Sequence, residues 1–454
     1  MKSLFCVLLF FSTIIGFSQS LTDNSQKEVV ITSVNVIPMD KEEVLQNQDV
    51  VIKNGRITAI GASGRVKYAA GATVVDGKGK YLIPGLAEIH AHVPPIDDIA
   101  PMKDVLMLFA VNGVTTIRGM LGHPRHLELR SKIQSGEIFG PHFITSGPSL
   151  NGNSVKTPAD GDRMVREQKA AGYDFLKLHP GLTLENFNAI VKAAKEVKIP
   201  YAGHVSSGVG VWRAIDAGYA SIDHLDGFIE GMTPGIETMS DSDVGFFGMF
   251  ASKKSDATQI PKLMKALKEH DVWVVPTQCL AERWIAAGQS PDQLHDAPEM
   301  KYMDPKTVEA WTENKRKMMA TPGYNAADVD HFVKLRRKLI YECNKNGVGL
   351  LLGSDAPQVF NVPGFSIHHE LRYLVDSGLT PYEALRTGTV NVATFIKSPD
   401  SGTIKVGNVS DLVLLGGNPL SDINQTANVQ GVMLGKNWLS SDYIRSELQK
   451  QVKK

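Results

Sequence analysis

The first residues along the chain able to do chemistry together are two histidines one residue apart, in Glu88-Ile89-His90-Ala91-His92. Side chains on a strand alternate with a period of two, so both imidazoles fall on one face and two neutral nitrogens can meet one divalent cation. Two histidines so spaced are often only surface residues, and the context decides. Pro84-Gly85 stands just before them, and the chain later offers Lys177 in Phe175-Leu176-Lys177-Leu178, His204 after Ala202-Gly203, His224 after Ser221-Ile222-Asp223, and Asp355 after Gly353-Ser354. Each falls at or near the end of a strand-like run. Any one of them could be a satisfied core residue, His204 or His224 most readily, but a whole set on successive strand ends is hard to explain as packing and points to a metal site. A lysine inside an apolar run needs a specific partner rather than solvent.

Other polar residues say less. Arg118 ends the run Thr116-Ile117-Arg118 and is read either as a bidentate grip on a substrate carboxylate or as a structural ion pair. His179 lies two residues beyond Lys177 and faces the same cavity if the strand continues. His368 and His369 follow the loop after Asp355 and are read as contacts to substrate or to the ligands. His123, His126, His270, His295 and His331 fall in expected loops or helices and are read as facing solvent.

The elements that must carry these groups alternate in type. Strand-like runs are expected at Ile83 to Val93, Val114 to Gly119, His142 to Ser146, Asp174 to His179, Pro200 to His204, Ser221 to His224, Val272 to Thr277 and Gly349 to Asp355, with helix-like runs between them. The pattern is that of an α/β TIM (β/α)8 barrel over residues 83–400. Thr183 is placed to cap a helix whose apolar positions Leu184, Phe187, Val191 and Ala194 recur at helical spacing, and Thr380-Pro381 with Glu383 forms a second capping signal. Both ends of the chain instead read as short β-branched runs around turns, with Asn54-Gly55 as a hairpin signal, so residues 28–82 and 401–440 are expected to form one small β-sandwich. Two stretches, Phe228 to Gln259 and Leu280 to Phe332, exceed what a connection needs and are read as covers of the barrel mouth or contacts to another subunit.

The chain has 454 residues, enough for one large barrel and a smaller domain, and its 48 Lys and Arg balance 48 Asp and Glu. No net field draws it to nucleic acid or to an anionic membrane, so a small-molecule partner is expected. Residues 1–20 carry Lys2, the apolar run Leu4 to Gly16 and Ser18-Gln19-Ser20, which reads as a cleaved secretory signal too short to anchor the chain in a bilayer. The expected location is therefore periplasmic or secreted. Cys279 and Cys343, the cysteines outside that segment, are too few for a disulfide framework and read as buried packing residues.

Taken in order, IPGLAEIHAH, GVTTIRG, FLKL, HVSSG, SIDHLDG, LLGSDAP, LTPYEALRTGTVNVATF and GTIKVGNVSDLVLLGGNPL resemble the amidohydrolase superfamily, in its imidazolonepropionase-like and prolidase-like branch, over nearly the whole chain. The resemblance implies that His90, His92 and Asp355 hold one cation and that His204 and His224 hold a second. It implies further that Lys177 bridges the two after carboxylation, since a free ammonium has no lone pair to offer. Gly119 departs from the pattern, because many relatives carry an acidic residue there. Two cations sharing a water lower its pKa and supply hydroxide to a polarised carbonyl, with Asp355 receiving the proton and returning it to the leaving nitrogen. The expected activity is hydrolysis of an amide in an N-acyl amino acid, dipeptide or cyclic amide. Zinc is the expected metal from the histidine-rich shell, with Mn, Co and Fe as alternatives. A lactonase or phosphotriesterase, and a catalytically silent ligand-binding barrel, are the rival readings.

Overall fold

The computed structural model describes residues 27–453; the secretory-signal reading of residues 1–20 lies outside them. The chain opens with β1 (Val29–Val36), β2 (Leu45–Lys53), β3 (Arg56–Ala62), β4 (Thr73–Asp76) and β5 (Tyr81–Pro84). Asn54 and Gly55, both at positive φ, turn β2 into β3 as the sequence suggests.

Seven short parallel strands follow. They are β6 (Leu86–Ala91), β7 (Val114–Gly119), β8 (His142–Thr145), β9 (Leu176–Leu178), β10 (Tyr201–Gly203), β11 (Ser221–Asp223) and β12 (Trp273–Val275). Last come β13 (Leu412–Leu415), β14 (Val429–Leu434) and β15 (Asn437–Ser440). The two ends of the chain build one eight-stranded sheet, in the order β15-β14-β13-β5-β1-β2-β3 with β4 beside β1. The join is antiparallel pairing of β5 with β13, Leu412 opposite Pro84 and Leu414 opposite Leu82. Val29, Ile31, Ile52 and Ile57 from one end and Ile404, Leu412, Leu414 and Met433 from the other pack in a single apolar cluster, so neither end has a core without the other.

The middle of the chain pairs in parallel as β6-β7-β8 and as β9-β10-β11-β12. Parallel bridges from Ser146 to Phe175 and from Leu150 to Leu178 link the two groups. The eighth expected strand, Gly349 to Asp355, is not a regular strand. It pairs with β12 only through a bridge at Leu350, and with β6 through Ile89 N–H to Leu352 O, Asp355 N–H to His90 O and His92 N–H to Ala356 O. Asp355 at φ 66° breaks the extended run at the position where its side chain turns toward the histidines.

Helices between the strands begin on the expected caps. Thr183 accepts from Asn186 N–H ahead of Leu184–Val197, and Thr380 with Glu383 completes a capping box ahead of Pro381–Thr387. Phe187, Val191 and Ala194 are buried as the spacing implies; Leu184, in the first turn, is exposed. Among the described residues no helix is long and apolar enough to cross a membrane.

Candidate metal centre

Extended backbone places His90 and His92 at the end of β6, and their Nε2 atoms lie 3.4 and 2.6 Å from Asp355 Oδ1. One ligand atom from each of the three residues falls within 4.8 Å of the other two. A second cluster adjoins the first. The His224 ring stands 4.4 Å from His90 and 4.5 Å from His204, and His204 stacks on His179 at 4.9 Å. Lys177 is fully buried among them and its Nζ has no hydrogen-bond partner among the described residues; the same holds for Nε2 of His224 and Nδ1 of His92 and His179. Gly203 lets this lysine thread past β10. It sits at φ 124°, and a Cβ there would meet Leu178 O at 2.5 Å and Lys177 Cδ at 2.8 Å.

Burial sets the protonation of the cluster. It pushes the Lys177 ammonium down to about 8, against the pull of Asp223 and Asp355. Burial, with Lys177 nearby, also holds His204 down to about 3 and His179 to about 2, and keeps His90 and His224 well below the ordinary imidazole range. Neutral imidazoles carry lone pairs, and buried polar atoms without partners are costly. A buried set of lone-pair donors around one carboxylate fits divalent cations and little else.

A surrounding layer fixes the tautomers. Asp223 Oδ2 accepts from His90 Nδ1 at 2.8 Å and Asp226 Oδ2 from His204 Nδ1 at 3.0 Å, so in these two rings Nε2 is left for the lone pair, while Thr277 Oγ1 lies 2.8 Å from His224 Nδ1 and orients the third ring. His224 at φ 65° and Thr277 at φ 46° are held in the left-handed region. Arg336, buried in the helix Ala326–Asn346, donates to His224 O, Pro276 O and Gln278 Oε1, while Glu370 accepts from the N–H groups of Gln278 and Cys279.

Asp223 and Asp226 were not singled out from the sequence, although a carboxylate just before and two after a candidate ligand in Ser221-Ile222-Asp223-His224-Leu225-Asp226 is a readable signal. Thr277 and Arg336 carry no such signal.

The remaining expected residues are placed as follows. His179 joins the cluster and also lines an open depression of about 530 Å³ with Ser149, Asn151 and Asn153. Arg118 is buried between the rings of Phe175 and Phe395, and its Nε and Nη2 donate to Ile89 O, Ser221 Oγ and Asp223. Of its two readings, the ion pair is the one this geometry serves, because these donors face inward. His368 is buried, with Nδ1 3.1 Å from Thr426 Oγ1, and His369 pairs with Glu299 at 3.1 Å. Expected to face solvent, His126 is instead fully buried, with Nε2 3.1 Å from Pro94 O and its ring against Phe143, because its helix lays that face on the core. Cys279 and Cys343 are buried and free, as the sequence suggests.

Residues 81–439 match the sequence profile of the Amidohydrolase family. The chain belongs to the amidohydrolase family. It is a hydrolase of carbon–nitrogen bonds in a metal-dependent superfamily, and the cluster around His90, His92 and Asp355 is its candidate metal site. The ochratoxinase of Aspergillus niger is 22% identical over 444 residues, spanning 88% of this chain and 84% of that protein. The imidazolonepropionase of Idiomarina loihiensis is 22% identical over 407 residues, spanning 85% of this chain and 90% of its own. A Xaa-Pro dipeptidase solved with methionine in its active site shares the fold, at a TM-score of 0.65 and 19% identity over 91% of this chain and 100% of that one.

Proposed function

We propose that this amidohydrolase cleaves the amide bond of a small molecule, an N-acyl amino acid, dipeptide or cyclic amide, at a centre of two zinc ions. His90, His92 and Asp355 would hold one ion, His204 and His224 the other, and Lys177, as its carbamate, would lie between them. The observation that carries the reading is the partnerless Lys177 Nζ, buried beside five imidazoles and a carboxylate. A buried lysine lowered to about 8 has a lone pair available to attack carbon dioxide; the new N–C bond releases one proton and turns a donor into an anionic acceptor.

Bound divalent cations supply Lewis acidity toward the carbonyl and lower the pKa of water. The protein does the rest. Asp355, oriented by His92 and by its own left-handed backbone, accepts the proton of the attacking water and returns it to the leaving nitrogen. Asp223 and Asp226 keep the lone pairs of His90 and His204 turned inward, and Thr277 orients the His224 ring. Nε and Nη2 of Arg118 are engaged by Ile89, Ser221 and Asp223, so on this reading a free substrate carboxylate is held mainly by another group.

On the same reading, residues 83–400 form a closed (β/α)8 barrel completed by the 349–356 segment, and 28–82 with 401–440 form a sandwich folded from the eight-stranded sheet. The apolar run near the start of the chain makes the protein exported, to the periplasm or beyond.

The test is a hydrolysis screen of N-acyl amino acids, dipeptides, cyclic amides, lactones and phosphotriesters with metal-replete protein, alongside metal analysis. About two ions per chain, amide turnover that disappears on chelation, and loss of one ion in Lys177→Ala are expected. Full occupancy and activity in Lys177→Ala would sink the carbamate bridge. Turnover confined to esters would favour the lactonase reading, and ligand binding without metal would favour a silent barrel.

A further inference from the structure

The two long insertions meet beside the histidine cluster. The first contains Gly245-Phe246-Phe247-Gly248. Gly245, at φ 71°, has no room for a side chain, since a Cβ would meet Phe250 Cδ2 at 2.6 Å; at Gly248, φ 75°, it would meet Ile229 at 3.0 Å. Phe247 between them stands at φ 55°, a left-handed conformation that is strained for a bulky residue. The strain presents its ring to the cluster. Phe247 stacks on His224 at 5.4 Å and lies nearly parallel to His204 at 6.4 Å.

Phe246 is 41% exposed and packs edge-on against Trp284 at 4.8 Å. Trp284 comes from the second insertion, in the π-helix Ala281–Ile285, and its Nε1 is buried with no partner among the described residues. Phe247 and Trp284 pack in part against the apolar core, but that packing requires neither the exposure of Phe246 nor the strain at Phe247. An exposed phenylalanine gains little from burial, a strained one spends energy, and a buried indole N–H without an acceptor is a cost. The exposed ring and the strained one are both accounted for if a ligand completes the wall.

We infer that Phe246, Phe247 and Trp284 form a binding site for a flat aromatic ring carried by the amide substrate. This rests on the amide-hydrolase reading and specifies its substrate class. None of the three side chains is charged, so the wall selects by stacking, which contributes about 0.5–1.5 kcal/mol per aromatic pair and hence up to about tenfold in affinity.

Two measurements on the metal-replete full chain test the wall. The first compares kcat/KM for N-benzoylglycine against N-acetylglycine, and for N-acetylphenylalanine against N-acetylalanine. The aryl member of at least one pair is expected to be favoured about tenfold. Phe247→Leu and Trp284→Leu should each erase most of that preference, raising KM for the aryl members several-fold more than for the alkyl members. The second follows N-(2-naphthoyl)glycine binding by fluorescence, expected to saturate and to weaken about tenfold in Phe247→Leu. Amide turnover without aryl preference, equal losses for aryl and alkyl substrates, or faster turnover of every substrate in Phe247→Leu, as for removal of a plug, would each overturn the wall while leaving the hydrolase reading intact. Saturable, Phe247-dependent naphthoylglycine binding with no amide turnover would keep the wall and overturn the hydrolase reading.

Discussion

At the scale of single residues, Asp223 is the group on which most of the centre turns. It accepts from His90 Nδ1 on one side and from Arg118 and Ser221 on the other. A carboxylate can only accept, so it fixes the His90 proton on Nδ1 and the lone pair on Nε2. In Asp223→Asn the amide can turn its NH₂ toward the ring, stabilise the wrong tautomer and leave Arg118 with a neutral partner. Cation retention should fall about 10–100-fold with secondary structure unchanged, read by competition with a graded chelator. Unaltered retention in a folded variant would show that the tautomer is set some other way.

Among elements, the turn between β12 and the insertion that follows decides where His224 points. Residues 276–279 are clamped from two helices, by Arg336 in Ala326–Asn346 and by Glu370 in Ser366–Asp376, and the clamp holds Thr277 against the imidazole. Removing the guanidinium leaves the carbonyls of His224 and Pro276 buried without a donor. Arg336→Met should therefore cost about 3–5 kcal/mol of stability, measured by denaturant unfolding. Thr277→Val keeps the clamp and loses only the bond to Nδ1. It should unfold close to the parent midpoint but hold its cations about tenfold more weakly, with Thr277→Ser restoring affinity. Equal stability losses in Arg336→Met and Thr277→Val would mean that the turn is not an independent clamp.

For the molecule as a whole, burial of His126 couples stability to pH. Its burial lowers the folded-state pKa to about 4, against an ordinary value near about 6.5 in the unfolded chain. Between these values only the unfolded chain binds the proton. The contribution is complete above about pH 6.5 and drains away as pH falls toward 4, by up to about 3 kcal/mol. Urea midpoints measured from pH 7 to 4 should drop less steeply in His126→Gln than in the parent protein. Parallel curves would show that His126 ionises freely in the folded state.

Much of this was legible along the chain. Alternation on β6 determines that His90 and His92 share a face, and the order of strand ends determines which later residues can join them, because a parallel α/β array gathers successive strand ends on one side. The caps at Thr183 and Thr380 and the turn at Asn54-Gly55 are local, so a few neighbouring residues suffice to specify them. What the tertiary structure decided depends on partners far apart in sequence. Thr277 meets His224 across 53 residues and Arg336 reaches His224 across 112, and nothing local marks either. A strand-end arginine looks the same whether its fork opens to a ligand or, like that of Arg118, closes on Asp223. His126 looks like any helical histidine until its helix chooses a face. The segment from Gly349 to Asp355 reads as a strand, yet it breaks at Asp355, whose left-handed backbone brings the carboxylate to His92. Sequence alone determined which groups are candidates for the chemistry; only the packing of distant segments determined which way each one points.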